Sequence, residues 1–419
     1  MRRNILGLRG FFFALIAVLF FTRTDIYSAD FQIKSLRIYS NHDQTSFPVL
    51  DLSEKTKNLI TIEFDVQSDN MPNLSIVFRF CDSDWNVYDS AFLLNPLYNT
   101  EYNLWFDNLP ITVKGAHYHY SGSFPNNNVN FPYFGNWMFF IVDSNNRDLV
   151  YSSGRFFVVQ PFVKMNVELA KEGLQGDNSQ FAILQRSISI RTNFTLPDTL
   201  FPSNVKKVVI VQNRKMYYPI VIDRINYTED RFYEWNASNK FSFIARNLYP
   251  GNRYRETDIR DIGKYNTPTV SAKFGNIETS NLFTKEGRDF YGGSLLMNFK
   301  NEYADYMNVV FKLRAPDDVK SSIFLVGAFN NWRVLPEYEM YDDKGMMNLS
   351  VELKRGVYDY QYVTGNVVGD HVENINWEIL EGNFFETDAE YYIFLYYATP
   401  EKGGYEKIIG YKKINTGAL

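Results

Sequence analysis

The histidines are the first residues in this 419-residue sequence that could do chemistry. His117 and His119 are two residues apart, so on a β-strand both rings would lie on one face, within reach of a single metal ion. A third ligand would be needed, and the candidates are Asp82 and Asp84, but nothing in the spacing demands either. Hydrogen-bonding histidines flanked by aromatic residues explain the pattern better, and we predict no metal site.

The only cysteine, Cys81, excludes an intramolecular disulfide and a cysteine-based zinc cluster. It ends an apolar segment, where we expect a buried and inert thiol. The sequence has no Gly-x-Ser-x-Gly, no His-Glu-x-x-His and no glycine-rich phosphate loop. Acidic pairs such as Asp342-Asp343 lie in turn contexts. We therefore predict no catalytic residues, no cofactor and no small-molecule substrate; a hydrolase with an unfamiliar site stays open as an alternative.

The elements that would position these residues are strands. Phe, Tyr and Trp make up 17% of the chain, which favours strands over helices. Hydrophobicity alternates with period two in residues 59–66, 74–80 and 187–191, and residues 208–211, 241–245, 309–313 and 323–326 predict further strands, some apolar throughout. Turn residues recur between these segments. The predicted fold class is all-β.

Two boundaries divide the chain into units of sandwich size. Residues 155–159 form a predicted closing strand, and Gln160-Pro161 follows it. The second boundary lies near Gly292-Gly293. We therefore predict three consecutive β-sandwiches, an N-terminal one over residues 30–160, a middle one over 161–295 and a C-terminal one over 296–419.

Residues 1–29 have the pattern of a secretory signal peptide. Arg2, Arg3 and Arg9 precede the apolar run Gly10 to Phe21, and small residues follow near Ala29. The run is short for a transmembrane helix, although an uncleaved membrane anchor remains the alternative. Without these residues the net charge is −8, which makes nucleic acid a poor partner. We predict a soluble, exported chain.

The strongest local motif lies near the C-terminus. A strand at 323–327 runs into Ala328-Phe329-Asn330-Asn331-Trp332, and residues 356–363 contain a later Tyr-x-Tyr-x-Tyr strand. This resembles the early-set sandwich modules that accompany glycogen-branching enzymes. Trp332 either caps the core or offers a flat face on which a sugar could stack. The second reading gives the alternative function, an exported glycan-binding protein.

Across its length the chain resembles the plug protein family of the type IX secretion system. The N-terminal likeness rests on residues 78–82 with Trp85, and on 118–120, 124–126, 135–137 and 155–158; the middle likeness rests on 248–255; the C-terminal likeness rests on 306–311, 326–332, 353–362, 380–387 and 408–411. There are two departures from the family pattern. Phe80 stands where the family often has His, and residues 94–114 fit poorly.

The resemblance implies a non-enzymatic periplasmic protein that caps the inner mouth of a large outer-membrane translocon barrel when no substrate is passing. It carries over no catalytic residues, and it does not tell which residues contact the partner. The departures leave open a divergent paralogue with another partner. A plug requires rigidity and a broad contact surface, and aromatic-rich sandwiches can supply both.

Overall fold

The computed structural model describes residues 31–53, 58–172, 180–275, 277–280, 290–297 and 303–416. The predicted signal peptide at residues 1–29 lies outside the described residues. Within them the regular structure is almost entirely β-strand, so the all-β prediction is confirmed. Helical structure is limited to one short α-helix, Gln180–Leu184, and to short 3-10 turns at Pro202–Asn204, Ala328–Asn330, Pro336–Tyr338 and Glu401–Gly403.

The N-terminal sandwich contains the first nine strands: β1 (Gln32–Ser40), β2 (Val49–Asp51), β3 (Ile60–Gln67), β4 (Leu74–Cys81), β5 (Thr100–Glu101), β6 (Asp107–Asn108), β7 (Tyr118–Phe124), β8 (Gly135–Asp143) and β9 (Val150–Val159). They form two sheets, with strand orders β1-β3-β7-β6 and β2-β9-β8-β4-β5. Alternate residues of both sheets, such as Phe64, Phe78 and Phe156, fill one core between them.

The next six strands are β10 (Met165–Glu172), β11 (Ser187–Thr195), β12 (Val205–Gln212), β13 (Ile220–Asp223), β14 (Arg231–Trp235) and β15 (Lys240–Leu248). One sheet of this middle sandwich has the order β10-β11-β15-β14. Its second sheet is completed by the last two strands of the chain, β26 (Glu390–Thr399) and β27 (Tyr405–Asn415), in the order β13-β12-β26-β27. Ile190, Ile210 and Ile393 meet in the core that these sheets share.

The ten strands between form the third sandwich: β16 (Arg255–Asp258), β17 (Thr269–Ser271), β18 (Glu278–Thr279), β19 (Ser294–Leu295), β20 (Tyr306–Arg314), β21 (Ser322–Gly327), β22 (Tyr341–Asp343), β23 (Met346–Lys354), β24 (Val357–Val368) and β25 (His371–Asn376). The long strand β24 pairs with β16, β19, β21 and β25, and β20 is central to the opposite sheet, which has the order β17-β20-β23-β22 with β18 also on β20. Phe311 and Tyr360 pack between the sheets.

This pairing differs from the predicted consecutive order of sandwiches. The third sandwich already begins at β16, inside the predicted middle unit 161–295, and the chain then returns to the middle sandwich at Glu390, inside the predicted unit 296–419. The reason lies in the register of β12 with β26, where Val208 faces Leu395 and Ile210 faces Ile393. Sequence periodicity predicts that these segments are strands but not which distant strand each one pairs with.

Strands β12 and β26 and the last four residues of β9 are buried on both faces, which explains their apolar sequences. On β26 the side chain of Phe394 points away from the middle core and stacks on Phe157 of β9, with ring centroids 4.1 Å apart. Phe47 stacks on Tyr392 at the same separation. The N-terminal and middle sandwiches therefore share an apolar interface whose packing resembles that of their interiors.

Candidate partner-binding surface

The two histidines singled out in the sequence have separate partners. Nδ1 of His117 lies 2.7 Å from the carbonyl oxygen of Ser68, and Nδ1 of His119 lies 2.7 Å from a carboxylate oxygen of Asp65. Asp82 instead accepts backbone hydrogen bonds in its own turn, and Asp84 pairs with Lys207. Among the described residues, no three His, Cys, Asp or Glu side chains form a group that could hold a metal ion.

The cysteine and the acidic pair occupy structural positions. Cys81 is buried, and this burial raises the pKa of its thiol to about 12. The thiol is therefore protonated and unreactive at neutral pH, as the sequence predicted. Asp342 accepts a hydrogen bond from the backbone amide of Gly345 and so stabilises the β22–β23 turn. Lys344 and Gly345 both have positive φ there, as a tight hairpin turn requires.

Trp332 is only 1% exposed, so it has no free face for a sugar. Its indole N–H donates to the carbonyl of Gly292 at 2.8 Å, and its ring packs on Tyr254 at 4.2 Å between centroids. The stacking platform expected under the glycan-binding alternative is therefore not present. Trp332 instead caps a core between β21 and the segment that contains Tyr254. The sequence could not separate these readings because the covering residues are distant in the chain.

Three motifs that carried the family resemblance meet inside the third sandwich. Arg255, from the 248–255 motif, donates from Nε to Glu381, from the 380–387 motif, at 2.9 and 3.0 Å, and from Nη1 to Glu278 at 3.2 Å. Tyr360 and Tyr362 donate their hydroxyls to Glu278 at 2.8 and 2.6 Å. These buried groups satisfy one another, so the cluster holds β16, β18 and β24 together and joins them to the segment after β25.

The cavities of the described residues differ in size and in the ionisable groups that line them. Lys215 and Glu378 both line a cavity of about 10 Å³, which has room for no more than about one water molecule. An enclosed cavity of about 60 Å³ lies where all three sandwiches meet, and it has room for about two water molecules at about 30 Å³ each. A more open groove of about 1150 Å³ lies at one end of the middle sandwich, beside Trp235. Its carboxylate, Glu234, already pairs with Arg191 at 2.8 Å.

A buried ionic cluster joins the N-terminal sandwich to the third one. Asp65 of β3 is 1% exposed, and Nζ of Lys354 on β23 lies 2.7 Å from its Oδ2. Tyr306 of β20 donates its hydroxyl to the same oxygen at 2.7 Å, and His119 of β7 contacts Oδ1. Nearby, Lys34 pairs with Glu352 at 2.7 Å. One carboxylate thus binds groups from both sandwiches.

The neighbours of Asp65 in this cluster lower the pKa of its carboxyl group. Burial alone would raise the pKa, but the hydrogen bond from His119 and the charge and hydrogen bond of Lys354 outweigh it. The pKa is therefore lowered from its ordinary value of 3.8, and the group is a carboxylate at neutral pH. Such a buried pair couples the two sandwiches only as long as both partners stay charged.

A surface segment, which we call the strap (residues 89–113), crosses one open side of the N-terminal sandwich. It contributes β5 to the edge of one sheet, beside β4, and β6 to the edge of the other, beside β7. Between them the amide of Leu104 donates to the carbonyl of Leu74 at 2.8 Å. The strap is therefore fixed to both sheets by backbone hydrogen bonds.

The strap exposes large apolar side chains while neighbouring ones anchor it. Leu104 and Phe106 are buried in the sandwich core, whereas Trp105 between them is 87% exposed. The same is true of Phe92, which is 72% exposed beside the buried Leu93. The remaining large apolar side chains that the strap exposes are Leu97, Tyr98, Tyr102 and Ile111. Exposed apolar side chains of this size make the strap a candidate interaction surface.

The strap is also one-sided in charge. Between Arg79 and Lys114 the sequence contains no Lys or Arg but five acidic residues. Two of these, Asp82 and Asp84, precede the strap, and Glu101 accepts hydrogen bonds from two Asn side chains. Asp89 and Asp107 are exposed on the strap. The strap's own side chains are therefore aromatic and acidic, and Arg147 of a neighbouring loop lies over the ring of Tyr102 at 4.9 Å.

At its C-terminal end the strap leads to the third sandwich. Leu109 packs with Ala116 and Tyr306, and the amide of Tyr306 donates to the carbonyl of Lys114 at 3.0 Å. At Gly115, which has a φ of +89°, an added Cβ would lie 2.6 Å from Cβ of Tyr306. Only glycine fits this close approach, so the end of the strap and the third sandwich are in direct contact.

The strap has none of the catalytic motifs considered in the sequence. Two signals in the sequence mark it: residues 94–114 depart from the family pattern, and the stretch between Arg79 and Lys114 lacks basic residues while holding several aromatic ones. Neither signal tells which of these side chains point outward, because alternation in a segment with two-residue strands is too short to read.

Comparison with known proteins places the N-terminal sandwich in a family. Residues 33–160 match the family model described as the type 9 secretion system plug protein 1st domain. The match begins in β1 and ends one residue after β9, so it covers the complete first sandwich with its strap. Comparison with curated proteins gave no match.

A solved structure shares the fold of nearly the whole chain. It is a crystal structure of a hypothetical protein from Parabacteroides merdae, with a TM-score of 0.73 and 21% sequence identity, and the alignment covers 92% of this chain and 97% of that chain. At this identity the likeness shows the fold alone. The family assignment therefore rests on the N-terminal sandwich, which matches the first domain of the type IX secretion system plug protein family.

Proposed function

We propose that the protein is a non-enzymatic, periplasmic gating subunit that occludes the outer-membrane translocon barrel of a type IX protein secretion system. The observation that carries this proposal is the family match over residues 33–160. A role in type IX secretion follows from the family, and occlusion of a barrel is the specific step that we add. The predicted signal peptide at residues 1–29 supports export to the periplasm.

The build of the molecule supports a role that depends on bulk and stiffness. A chain of about 390 residues in compact form has a diameter of roughly 55 Å by the usual scaling of the radius of gyration. A body of that size could obstruct a barrel in the class of the largest known, with about 36 strands. Apolar packing around Phe157 and Phe394 and the ionic cluster around Asp65 hold the three sandwiches against one another.

Within the described part of the chain, none of the helices has the length and apolar character needed to cross a bilayer. We propose that the protein reaches the outer membrane by binding a partner. The partner is the translocon barrel, and the contact lies at its periplasmic mouth. Protein is the only ligand in this proposal, which includes no cofactor, no small-molecule substrate and no nucleic acid.

The test is a barrier measurement in the native host. Deleting the gene should make the outer membrane permeable to large solutes, measured as sensitivity to a large antibiotic that the intact membrane excludes. Deleting the barrel gene as well should restore the barrier, because the leak runs through the unplugged pore. The double deletion thus separates loss of a plug from general envelope damage.

Complementation supplies the controls. The wild-type gene should restore the barrier in the single deletion, and so should Cys81→Ser, because no chemistry of the thiol is required. An unchanged barrier in the single deletion would contradict the proposal. A leak that persists without the barrel would contradict it as well.

A further inference from the structure

We propose that the strap is the docking surface of the plug and that it binds a protein surface presenting basic side chains around an apolar patch. This inference rests on the function proposed above, because it names the face with which the plug meets its barrel. It goes further in assigning the contact to residues 89–113 and in stating the chemistry of the opposing surface.

Large apolar side chains are exposed more densely on the strap than on the rest of the described surface. Trp105 is 87% exposed, Leu97 83% and Ile111 101%, although each is large and apolar. Leaving such side chains in water forgoes the free energy of burying them, about 25 cal/mol for each Å² of apolar area. Aromatic residues, Trp above all, are the most frequent anchors of protein interfaces. The strap therefore offers anchors that no other part of this chain covers in the described structure.

The strap is organised before any partner binds. Phe106 packs against Phe64 and Tyr120, with ring centroids 6.1 and 5.9 Å apart, and this holds the backbone on either side of Trp105. On the N-terminal side Tyr133 donates its hydroxyl to the carbonyl of Phe92 at 2.6 Å. A rigid display of exposed rings reduces the conformational entropy lost on binding.

Charge selects the occupant of this surface. The strap carries exposed Asp89 and Asp107 and has no Lys or Arg from residue 80 to 113. Basic groups on a partner would complement it, while anionic lipid headgroups would be repelled. Membrane-surface segments have the opposite pattern, with Lys and Arg beside aromatic residues. The acidic strap thus favours a protein partner over the lipid surface of the outer membrane.

Affinity purification of the tagged full chain from its native host tests the assignment, with the barrel quantified by mass spectrometry. Trp105→Ala and Phe92→Ala should each lower recovery of the barrel about tenfold or more, the loss typical of an interface anchor. The matched control is Phe201→Ala, since Phe201 is 68% exposed on the middle sandwich and Phe92 is 72% exposed. Recovery with Phe201→Ala should equal that of the wild type.

Charge reversal separates the electrostatic part of the proposal. Asp107→Lys should lower recovery of the barrel more at low salt than at high salt, because its effect is screened by ions. Asp198→Lys, an exposed acidic position outside the strap, should have no effect. An unchanged thermal melting curve for each variant shows that the loss of binding does not reflect unfolding.

The outcomes are distinguishable. If the strap and control variants recover the barrel equally, the strap is not the docking surface and the proposed function stands. If the wild type recovers no barrel, the proposed function and this inference both fall. Flotation with vesicles of phosphatidylethanolamine, with and without phosphatidylglycerol, covers the lipid alternative: vesicle binding by the wild type that Trp105→Ala abolishes would overturn the inference in favour of membrane docking.

Discussion

The N-terminal sandwich contacts the rest of the molecule through two interfaces of opposite character. Toward the middle sandwich it presents apolar and aromatic side chains, among them Phe47 and Phe157, each stacked on a ring of β26 at 4.1 Å. Toward the third sandwich it presents the buried carboxylate of Asp65, bound by Lys354 and Tyr306. Packing dominates the first interface, although Asp84 and Lys207 also form an ion pair across it, and a buried carboxylate lies at the centre of the second.

The two interfaces should therefore respond differently to changes in salt and pH. Apolar packing depends little on salt or pH, and it is lost only when the surfaces separate. A buried ion pair costs desolvation on both sides, so its net contribution is small while the pair is intact and strongly negative once one partner is removed or neutralised. The contact between the N-terminal and third sandwiches is thus the one that a chemical change can open selectively.

The largest effect is expected at the apolar interface. Phe394 is 0% exposed, and Phe394→Ala should lower the free energy of unfolding by about 3–5 kcal/mol, because it removes the ring that stacks on Phe157 and leaves a cavity. Urea denaturation followed by tryptophan fluorescence measures this. The exposed Phe201→Ala should change the same quantity by no more than about 0.5 kcal/mol. A small cost for Phe394→Ala would mean that the interface is not tightly packed.

At the ionic interface Lys354→Met should lower the free energy of unfolding by about 3 kcal/mol, because Asp65 loses its counter-ion while still buried. The value lies at the lower end for a broken buried pair, since the hydroxyl of Tyr306 remains bound to the carboxylate. Combining Lys354→Met with Asp65→Asn should recover at least half of the loss in the same denaturation experiment. A double variant no more stable than the single one would show that the carboxylate charge is not the cause.

Acid should weaken the contact that Asp65 makes at the ionic interface. The folded-state pKa of Asp65 is lowered, so the stability from this group is fully present above its unfolded pKa near 3.8 and is lost as the pH falls through the lower folded value. Urea denaturation at pH 5 and at pH 3 should show a smaller acid-induced loss in Asp65→Asn than in the wild type. The cost of Phe394→Ala should be the same at both pH values, and a cost that changed with pH would contradict the distinction.

The smallest effect tests polar groups within the apolar interface. Tyr396 is buried and donates its hydroxyl to Oδ1 of Asn136 across the interface at 2.6 Å. Tyr396→Phe keeps the ring but leaves the amide oxygen without this donor, which should cost about 1–2 kcal/mol in urea denaturation. Tyr227→Phe, at an exposed position, is the control and should be neutral. A cost as large as that of Phe394→Ala would mean that hydrogen bonding, not packing, holds this interface.

Sequence reasoning identified local features well and distant pairings poorly. The buried thiol of Cys81 and the turn at Asp342 follow from neighbouring residues, and the structure places both as expected. The metal hypothesis for His119 could not anticipate Asp65 as the partner of the ring, because that carboxylate lies on another strand. The sequence did not predict the strap for the same reason. Which of its side chains point outward depends on which neighbouring ones the sandwich core buries.

The sequence by itself determined that this chain folds into strands, because alternation and unbroken apolar runs depend on each residue and its neighbours. Tertiary structure decided how the strands are shared among sandwiches, where β26 and β27 return to pair with β12 beyond an inserted sandwich. It also decided that Asp65 meets Tyr306, 241 residues away. The physical reason is that the hydrophobic pattern predicts which side chains are buried, while only the packing of the whole chain determines which residues cover them.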